Sequence, residues 1–238
     1  MSGFTLKIIA MISMLFDHTG YLIFNNISPL NYIGRFAFPI FAFEIGQGFI
    51  HTKNLKKYFL RLFIFALISQ IPFQLFLKIL KSGFSLNIFF TLFLGLLSLY
   101  TYNLCKKNKF MAVINILCIS LIATLLNVDY GWYGIVVIFI FYIFQDKKML
   151  QSISFILATL INYLIKITTN GFYIEYMYLF IFTCLSLFFI NFYNGKKGKN
   201  VKFIFYLFYP LHLLLIYIIW FLKSWIYSYS NNIFHVLN

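Results

Sequence analysis

Long apolar stretches, separated by short polar or basic clusters, run along almost the whole chain. A helix that crosses a bilayer needs roughly 20 predominantly apolar residues, and many of the stretches are of about that length. Because lipid offers no hydrogen bonds to a bare backbone, each span is predicted to be an α-helix. Breaks at Gly, Asn and Lys clusters place nine candidate spans at about 4–24, 31–50, 58–78, 86–104, 110–127, 131–145, 149–166, 173–192 and 203–224.

The pattern therefore predicts an all-α, polytopic transmembrane helical bundle that forms a single integral membrane domain over residues 1–238. The sixth and seventh stretches are the weakest, because 131–145 is short and 149–166 contains Ser152, Ser154 and Asn162. Eight or ten spans are therefore also compatible with the sequence.

Composition agrees with a lipid environment. The chain is 62% hydrophobic and 10% charged, which is more apolar side chain than a soluble core of this size would hide. A net charge of +14 would suggest nucleic acid in a soluble protein, but here Lys and Arg lie mostly between the spans, so no nucleic-acid partner is expected. The three cysteines lack CxxC spacing, so no metal centre or disulfide framework is predicted.

The basic clusters also predict an orientation. Lys7 and the clusters at 53–61, 106–109, 147–148 and 196–202 fall on one side of the membrane when the nine spans alternate. The opposite connections hold only Lys78, Lys81, Lys166 and Lys223. Since Lys and Arg favour the cytoplasmic side, we expect a cytoplasmic N-terminus in a multi-pass protein of the cell (inner) membrane.

Ionisable residues inside spans mark the candidate working site, because they are expensive to place in lipid and are usually paired or functional. Asp17 is predicted to lie on the order of 10 Å below the outer end of the first span, and Arg35 about 6 Å below the outer start of the second. The short connection makes an Asp17–Arg35 pair plausible, although such a pair would equally serve helix packing. His18 points about 100° away from Asp17 and would present its imidazole to a cavity.

Other polar residues are predicted to converge on the same outer half of the bundle. Gln70, Asn87 and Asp129 belong to that half under the predicted topology, and His212 lies near mid-membrane. Glu44 and His51 fall on one face of the second span and would line the inner part of the path. For Glu44 and His212 a purely structural role is an open alternative.

The ordered motifs resemble one known family. They are LKIIAMISMLFDHTGY, IGRFAFPIFAFEIGQGFIHTKNLKKYFLRLFIFALISQIPF, LNIFFTLFLGLL, NVDYGWYGI, YNGKKG and FYLFYPLHLLLIY. Together they resemble the TraX family of membrane proteins, associated with N-terminal acetylation of conjugative pilin subunits. The resemblance covers nearly the whole chain and weakens at about 145–190 and in the C-terminal tail.

The resemblance implies acetyl transfer from cytosolic acetyl-CoA to an acceptor at the outer face, namely a pilin, another peptide N-terminus or a surface glycan. By analogy with multi-span acyltransferases that use an intramembrane histidine, His18 is the leading catalytic residue, as a base or as a carrier of the acetyl group. Asp17 and Arg35 would fix its surroundings, and Arg35, Gln70 or Asn87 would donate to the oxyanion.

The cofactor would enter from the cytoplasm with its pantetheine arm passing Glu44 and His51. Its phosphates would meet the basic clusters, namely Lys53, Lys56, Lys57 and Arg61 or Lys196 and Lys197 of the NGKKG loop. Two other classes stay open: a transporter or lipid flippase with a proton- or headgroup-binding polar cavity, and a non-catalytic scaffold. No inverted repeat is visible in the sequence, which disfavours the transporter.

Overall fold

The computed structural model describes residues 1–24, 27–199 and 202–236, and these residues form ten helices joined by short connections. The helices are α1 Gly3–Phe24, α2 Pro29–Gly34, α3 Ala37–His51, α4 Leu55–Ile79, α5 Ile88–Cys105, α6 Lys109–Leu125, α7 Gly131–Ile143, α8 Lys148–Asn170, α9 Ile174–Asn191 and α10 Lys202–Val236. An isolated β-bridge between Leu86 and Val128 joins two connections. The all-α prediction is confirmed for the described residues.

The predicted second span is the clearest departure from the sequence interpretation. It is not one helix but two, α2 and α3, interrupted at Arg35 and Phe36. Pro39 supplies the reason, because it has no N–H to offer the Arg35 carbonyl four residues earlier. At the break itself, the amides of Arg35 and Phe36 donate to carbonyls three residues back, as in a tight turn. The break points the Arg35 region toward α1.

Helix α3 lies at the centre of the bundle. It packs against α1, α5, α7 and α9, while α10 packs mainly on α4 and also contacts α1. Ile40 and Ala42 of α3 are fully buried, as are Leu6 of α1 and Phe141 of α7. The four helices around α3 therefore share one apolar core, and the α1–α10–α4 side forms its flank.

Large apolar side chains also cover the outside of the bundle. Leu117, Leu121 and Leu125 follow each other at one-turn spacing along α6 and are 62%, 59% and 74% exposed. Six helices among the described residues are long and apolar enough to cross a membrane, namely α1, α4, α5, α8, α9 and the Phe203–Ile226 part of α10. An apolar exterior of this extent identifies a membrane protein.

The connection between α4 and α5 is tied down by two predicted site residues. The Gln70 side chain donates to the Ser85 carbonyl at 2.8 Å and accepts from the Asn87 side chain at 2.8 Å. Asn87 also donates to the Ala66 carbonyl at 2.7 Å and caps α5 by accepting from the Phe89 amide at 3.0 Å. These bonds occupy both amide side chains in holding the loop against α4.

Candidate functional site

A buried polar network joins α1 to α2 at the end of the bundle away from the Lys clusters, here called the far end. The Asp17 carboxylate pairs with the Arg35 guanidinium. Asn31 is fully buried and donates to the Asp17 carbonyl at 2.7 Å and to its carboxylate at 3.2 Å. Arg35 Nε donates to the Asn31 carbonyl at 3.2 Å, and the Ser28 hydroxyl donates to Asn31 Oδ1 at 2.7 Å. Each member therefore holds its neighbour in one orientation.

Two glycines allow this close approach of the helices. A Cβ on Gly34 would lie 2.3 Å from the Asp17 Cβ, and one on Gly20 would lie 2.8 Å from Asn31 Oδ1. Both contacts are far shorter than van der Waals distance, so only glycine lets α1 and α2 meet here. The sequence signal for this contact is the pair of glycines one turn from polar residues, and neither this signal nor the role of Asn31 was predicted.

His18 pairs with His212 across the interface of α1 and α10. Nδ1 of His18 and Nε2 of His212 are 2.7 Å apart, and Nδ1 of His212 lies 2.8 Å from the Phe208 carbonyl oxygen. A carbonyl oxygen accepts but cannot donate, so Nδ1 of His212 carries a hydrogen and its Nε2 is the acceptor. Nδ1 of His18 must then be the donor. This assignment leaves Nε2 of His18 with a lone pair that no hydrogen bond from the described residues occupies.

Aromatic rings enclose the histidine pair. The two imidazoles stack with centroids 5.0 Å apart, Phe76 lies 4.7 Å from His18, and Phe208 lies 4.7 Å from His212. His212 is 4% exposed, which keeps its hydrogen bond out of competition with water. The enclosure fixes both ring planes, so the direction of the free His18 lone pair is also fixed.

A cavity of about 720 Å³ opens at the opposite end of the bundle, here called the basic end. Its cationic lining comes from α1, the α3–α4 connection, α4 and the α9–α10 connection, and consists of Lys7, Lys53, Lys57, Arg61, Lys197 and Lys199, with His51 at the same level. Glu44 is the one carboxylate among the described lining residues. Such a lining suits a ligand with several negative charges.

The N-terminal segment closes one side of the cavity mouth. The amides of Gly3 and Phe4 donate to the Lys196 and Lys197 carbonyls at 2.8 and 2.9 Å. Gly198 has a φ of 72° and lies so close to the segment that a Cβ would be 2.7 Å from the Ser2 hydroxyl. These contacts hold the NGKKG loop at the mouth of the cavity.

The inner part of the cavity becomes apolar and aromatic as it approaches the histidine pair. Its walls there include Met14, Leu92 and Tyr209. Tyr209 is 3% exposed, and its ring centroid lies 6.5 Å from that of His18 and 5.7 Å from that of His212. One aromatic residue therefore lines the cavity and also contacts both imidazoles.

The structure places the predicted site residues in several parts of the bundle. Asp17 and Arg35 form the far-end network and His18 pairs with His212, whereas Glu44, His51, Lys53, Lys57, Arg61 and Lys197 line the cavity. Gln70 and Asn87 hold the α4–α5 connection, and Lys56 and Lys196 are not among the described lining residues. Three further cavity residues were not predicted as such from the sequence, namely Lys7, Lys199 and Tyr209.

Asp129 lies in the α6–α7 connection at the far end. The Thr91 hydroxyl contacts its backbone carbonyl, and its amide donates to the Leu86 carbonyl at 2.8 Å. Burial raises the pKa of Asp129 from 3.8 to about 6, against the opposing effect of the Arg35 guanidinium. This carboxyl group therefore changes charge near pH 6.

Fold and site together define a polytopic helical membrane protein with a fixed polar centre beside a basic cavity. The family model of the TraX protein matches residues 2–220, and the chain belongs to the TraX family. It is 30% identical over 176 residues to the probable fimbrial assembly protein FimC, serogroup H1, of Dichelobacter nodosus, a match that covers 67% of this chain and 69% of that protein.

A second relative is the uncharacterized protein RP591 of Rickettsia prowazekii (strain Madrid E). It is 25% identical over 146 residues, which is 60% of this chain and 56% of the relative. No solved structure gives a significant match.

Proposed function

We propose that this protein is a membrane-embedded acetyltransferase that moves an acetyl group from cytosolic acetyl-CoA to an acceptor at the outer face of the cell membrane. One observation carries the proposal: the free Nε2 of His18 belongs to a fixed histidine pair that Tyr209 joins to the inner end of a basic cavity. A base or nucleophile beside a cavity for a large anion is what acyl transfer from CoA requires.

The basic end would receive the cofactor. Lys53, Lys57 and Arg61 on one wall and Lys197 on the other offer cations for the phosphates, while the apolar inner part suits the acyl end. Under the positive-inside rule the basic end faces the cytoplasm, where acetyl-CoA is made available. The cavity then spans much of the distance between the donor compartment and the histidine pair.

The chemistry is a substitution at the thioester carbonyl. An amine or hydroxyl of the acceptor loses a proton to His18 Nε2, a C–N or C–O bond forms, and the C–S bond breaks to give CoA thiolate. The proton held by His18 then neutralises the thiolate, so CoA leaves as the free thiol. If His18 carries the acetyl group in a first step, its Nε2–C bond forms and later breaks with the same overall balance.

The acceptor belongs to the far end in this proposal. A pilin or other peptide N-terminus, or a surface glycan, provides the required amine or hydroxyl. The similarity to a probable fimbrial assembly protein supports a role in modifying surface filaments. Arg35, fixed by Asp17, is a far-end cation that can stabilise negative charge on the reacting carbonyl.

The test measures CoA release from labelled acetyl-CoA by purified protein, with the thiol detected chemically and acetylated protein or added peptide detected by its label. His18→Ala should lower turnover about 10²–10⁴-fold, while elution volume and helical circular dichroism stay those of the wild type. A folded His18→Ala variant with full turnover would contradict the proposed role of His18.

The main rival is a transporter or flippase that uses the same polar groups for coupling or headgroup binding. Reconstituted vesicles separate the two functions. Labelled phospholipid or solute that crosses the bilayer without any thioester turnover would replace the acetyltransferase proposal with the transport one.

A further inference from the structure

Two buried polar atoms on residues that line the cavity have no hydrogen-bond partner among the described residues. One is Oε1 of Glu44, whose other carboxylate oxygen pairs with the Lys7 ammonium. The other is Nε of Arg61. The Glu44 side chain is 10% exposed, so bulk water reaches the carboxylate poorly. The first atom is an acceptor and the second is a donor.

Such pairs of unsatisfied atoms need an explanation, because buried polar groups in proteins are almost always hydrogen-bonded. The carboxylate rotates easily about its last side-chain bond, so either oxygen can turn toward the cavity. Gly3, whose absent Cβ would lie 2.9 Å from Oε1, also lines the cavity, and this places the oxygen at the cavity wall. A ligand in the cavity is the natural source of both missing partners.

The sign of the Glu44 charge restricts what that ligand is. Six cationic side chains in the lining favour an anion, whereas a carboxylate among them repels one. The carboxylate is useful only if the ligand also presents an N–H or O–H group at that depth. Inorganic phosphate would gain nothing from Glu44, and a plain nucleotide offers only the N–H and O–H groups of its base and sugar.

We propose that Glu44 and Arg61 recognise the amide-bearing arm of the donor: Glu44 accepts a hydrogen bond from an amide N–H, and Arg61 Nε donates to a carbonyl or phosphate oxygen. The inference rests on the proposed acetyltransferase function and names the part of the CoA thioester that the cavity recognises. The arm, rather than the phosphates alone, then selects CoA thioesters over other nucleotides.

The experiment compares two probes by isothermal titration calorimetry on purified protein in detergent: CoA, which has the arm, and adenosine 3′,5′-bisphosphate, which lacks it. Glu44→Met removes the acceptor, keeps the side-chain length and frees Lys7. Charge alone predicts that both anions bind this variant more tightly. The proposal instead predicts about tenfold weaker binding of CoA and unchanged or tighter binding of adenosine 3′,5′-bisphosphate.

Asp146→Asn is the matched control. Asp146 is exposed in the α7–α8 connection at the basic end and is not among the lining residues, so this variant removes the same charge without touching the cavity. It should bind both probes as the wild type does. If Glu44→Met does not fold, Glu44→Gln keeps one acceptor oxygen and should show a smaller loss of CoA affinity.

CoA affinity that is unchanged or higher in the Glu44 variants would overturn the recognition of the arm. The proposed function fails in a different way, by a wild-type protein that binds CoA but never releases it from acetyl-CoA. The two failures are therefore distinguishable in the same set of samples.

Discussion

The far-end network and the basic cavity contain the same kinds of group, but their hydrogen bonding is opposite in character. Asp17, Arg35 and Asn31 are joined to one another by four contacts. In the cavity, Glu44 and Arg61 each keep a buried atom without a partner among the described residues. A polar group that is satisfied within the protein holds structure, whereas one left unsatisfied is available to a ligand.

The histidine pair stands between these two regions and shares features of both. His212 is satisfied at both ring nitrogens, by Phe208 and by His18. Within the described part of the chain, His18 has a hydrogen-bond partner at one ring nitrogen only. In the proposed mechanism this asymmetry gives His212 a positioning role and His18 the chemical one, and each variant below tests one side of the contrast.

The largest effect is expected at the far-end network. Asp17→Asn leaves the buried Arg35 guanidinium without its carboxylate, and breaking such a pair lowers the free energy of unfolding by about 3–5 kcal/mol. Unfolding by denaturant in mixed micelles, followed by circular dichroism, measures the change.

The control for this variant is Asp146→Asn, because Asp146 is exposed and the same charge is lost. Its unfolding free energy should change by less than about 0.5 kcal/mol. Equal stabilities of the two variants would show that the Asp17–Arg35 pair does not hold α1 to α2.

A smaller effect, confined to turnover, is expected at His212. His212→Leu removes the acceptor for His18 Nδ1–H, so both tautomers and several ring orientations of His18 become accessible. Turnover should fall about 10–100-fold, the range found when a group that orients a metal-binding histidine is removed. The KM for acetyl-CoA should stay the same, because His212 does not line the cavity.

The conservative variant separates positioning from packing. His212→Gln offers an amide oxygen that accepts from His18, so it should retain more turnover than His212→Leu. Equal losses in the two variants would assign His212 a packing role only.

Much of the fold was predictable because a bilayer imposes a simple rule on sequence. Apolar runs of spanning length must be helical, and α4 and α9 follow the predicted boundaries within a few residues. The break between α2 and α3 was missed because a proline inside a predicted span suggests a kink as readily as an interruption. The last helix ends at Val236 and not near residue 224, because the prediction followed the apolar run and a helix can continue past the end of such a run.

The site was predictable only where depth and a short connection limit the choice. Asp17 and Arg35 are on successive spans at similar depth, so their contact follows from helix geometry. His18 and His212 are 194 positions apart, and no local pattern indicates that α1 and α10 are neighbours. Gln70 and Asn87 were predicted to support the cavity because they are polar. In the structure their side chains bond to each other and to backbone carbonyls, and polarity alone does not indicate these partners.

The smallest effect is expected at Asp129, where pH changes the far-end charge. Its pKa rises from 3.8 to about 6 on folding, so the folded state holds the proton more tightly than the unfolded state. The resulting stabilisation is complete below about pH 4 and is lost as pH rises through 6. Arg35 and Lys166 oppose this shift electrostatically and Asp17 reinforces it.

Asp129→Asn removes the titrating group, so the variant should gain in melting temperature relative to the wild type between pH 4.5 and pH 7.5. Asp146→Asn, at an exposed position, should show a constant difference over the same range. Melting curves in one detergent at both pH values measure the two differences. A constant offset for Asp129→Asn would mean that Asp129 stays ionised throughout and acts on Arg35 as an anion at every pH tested.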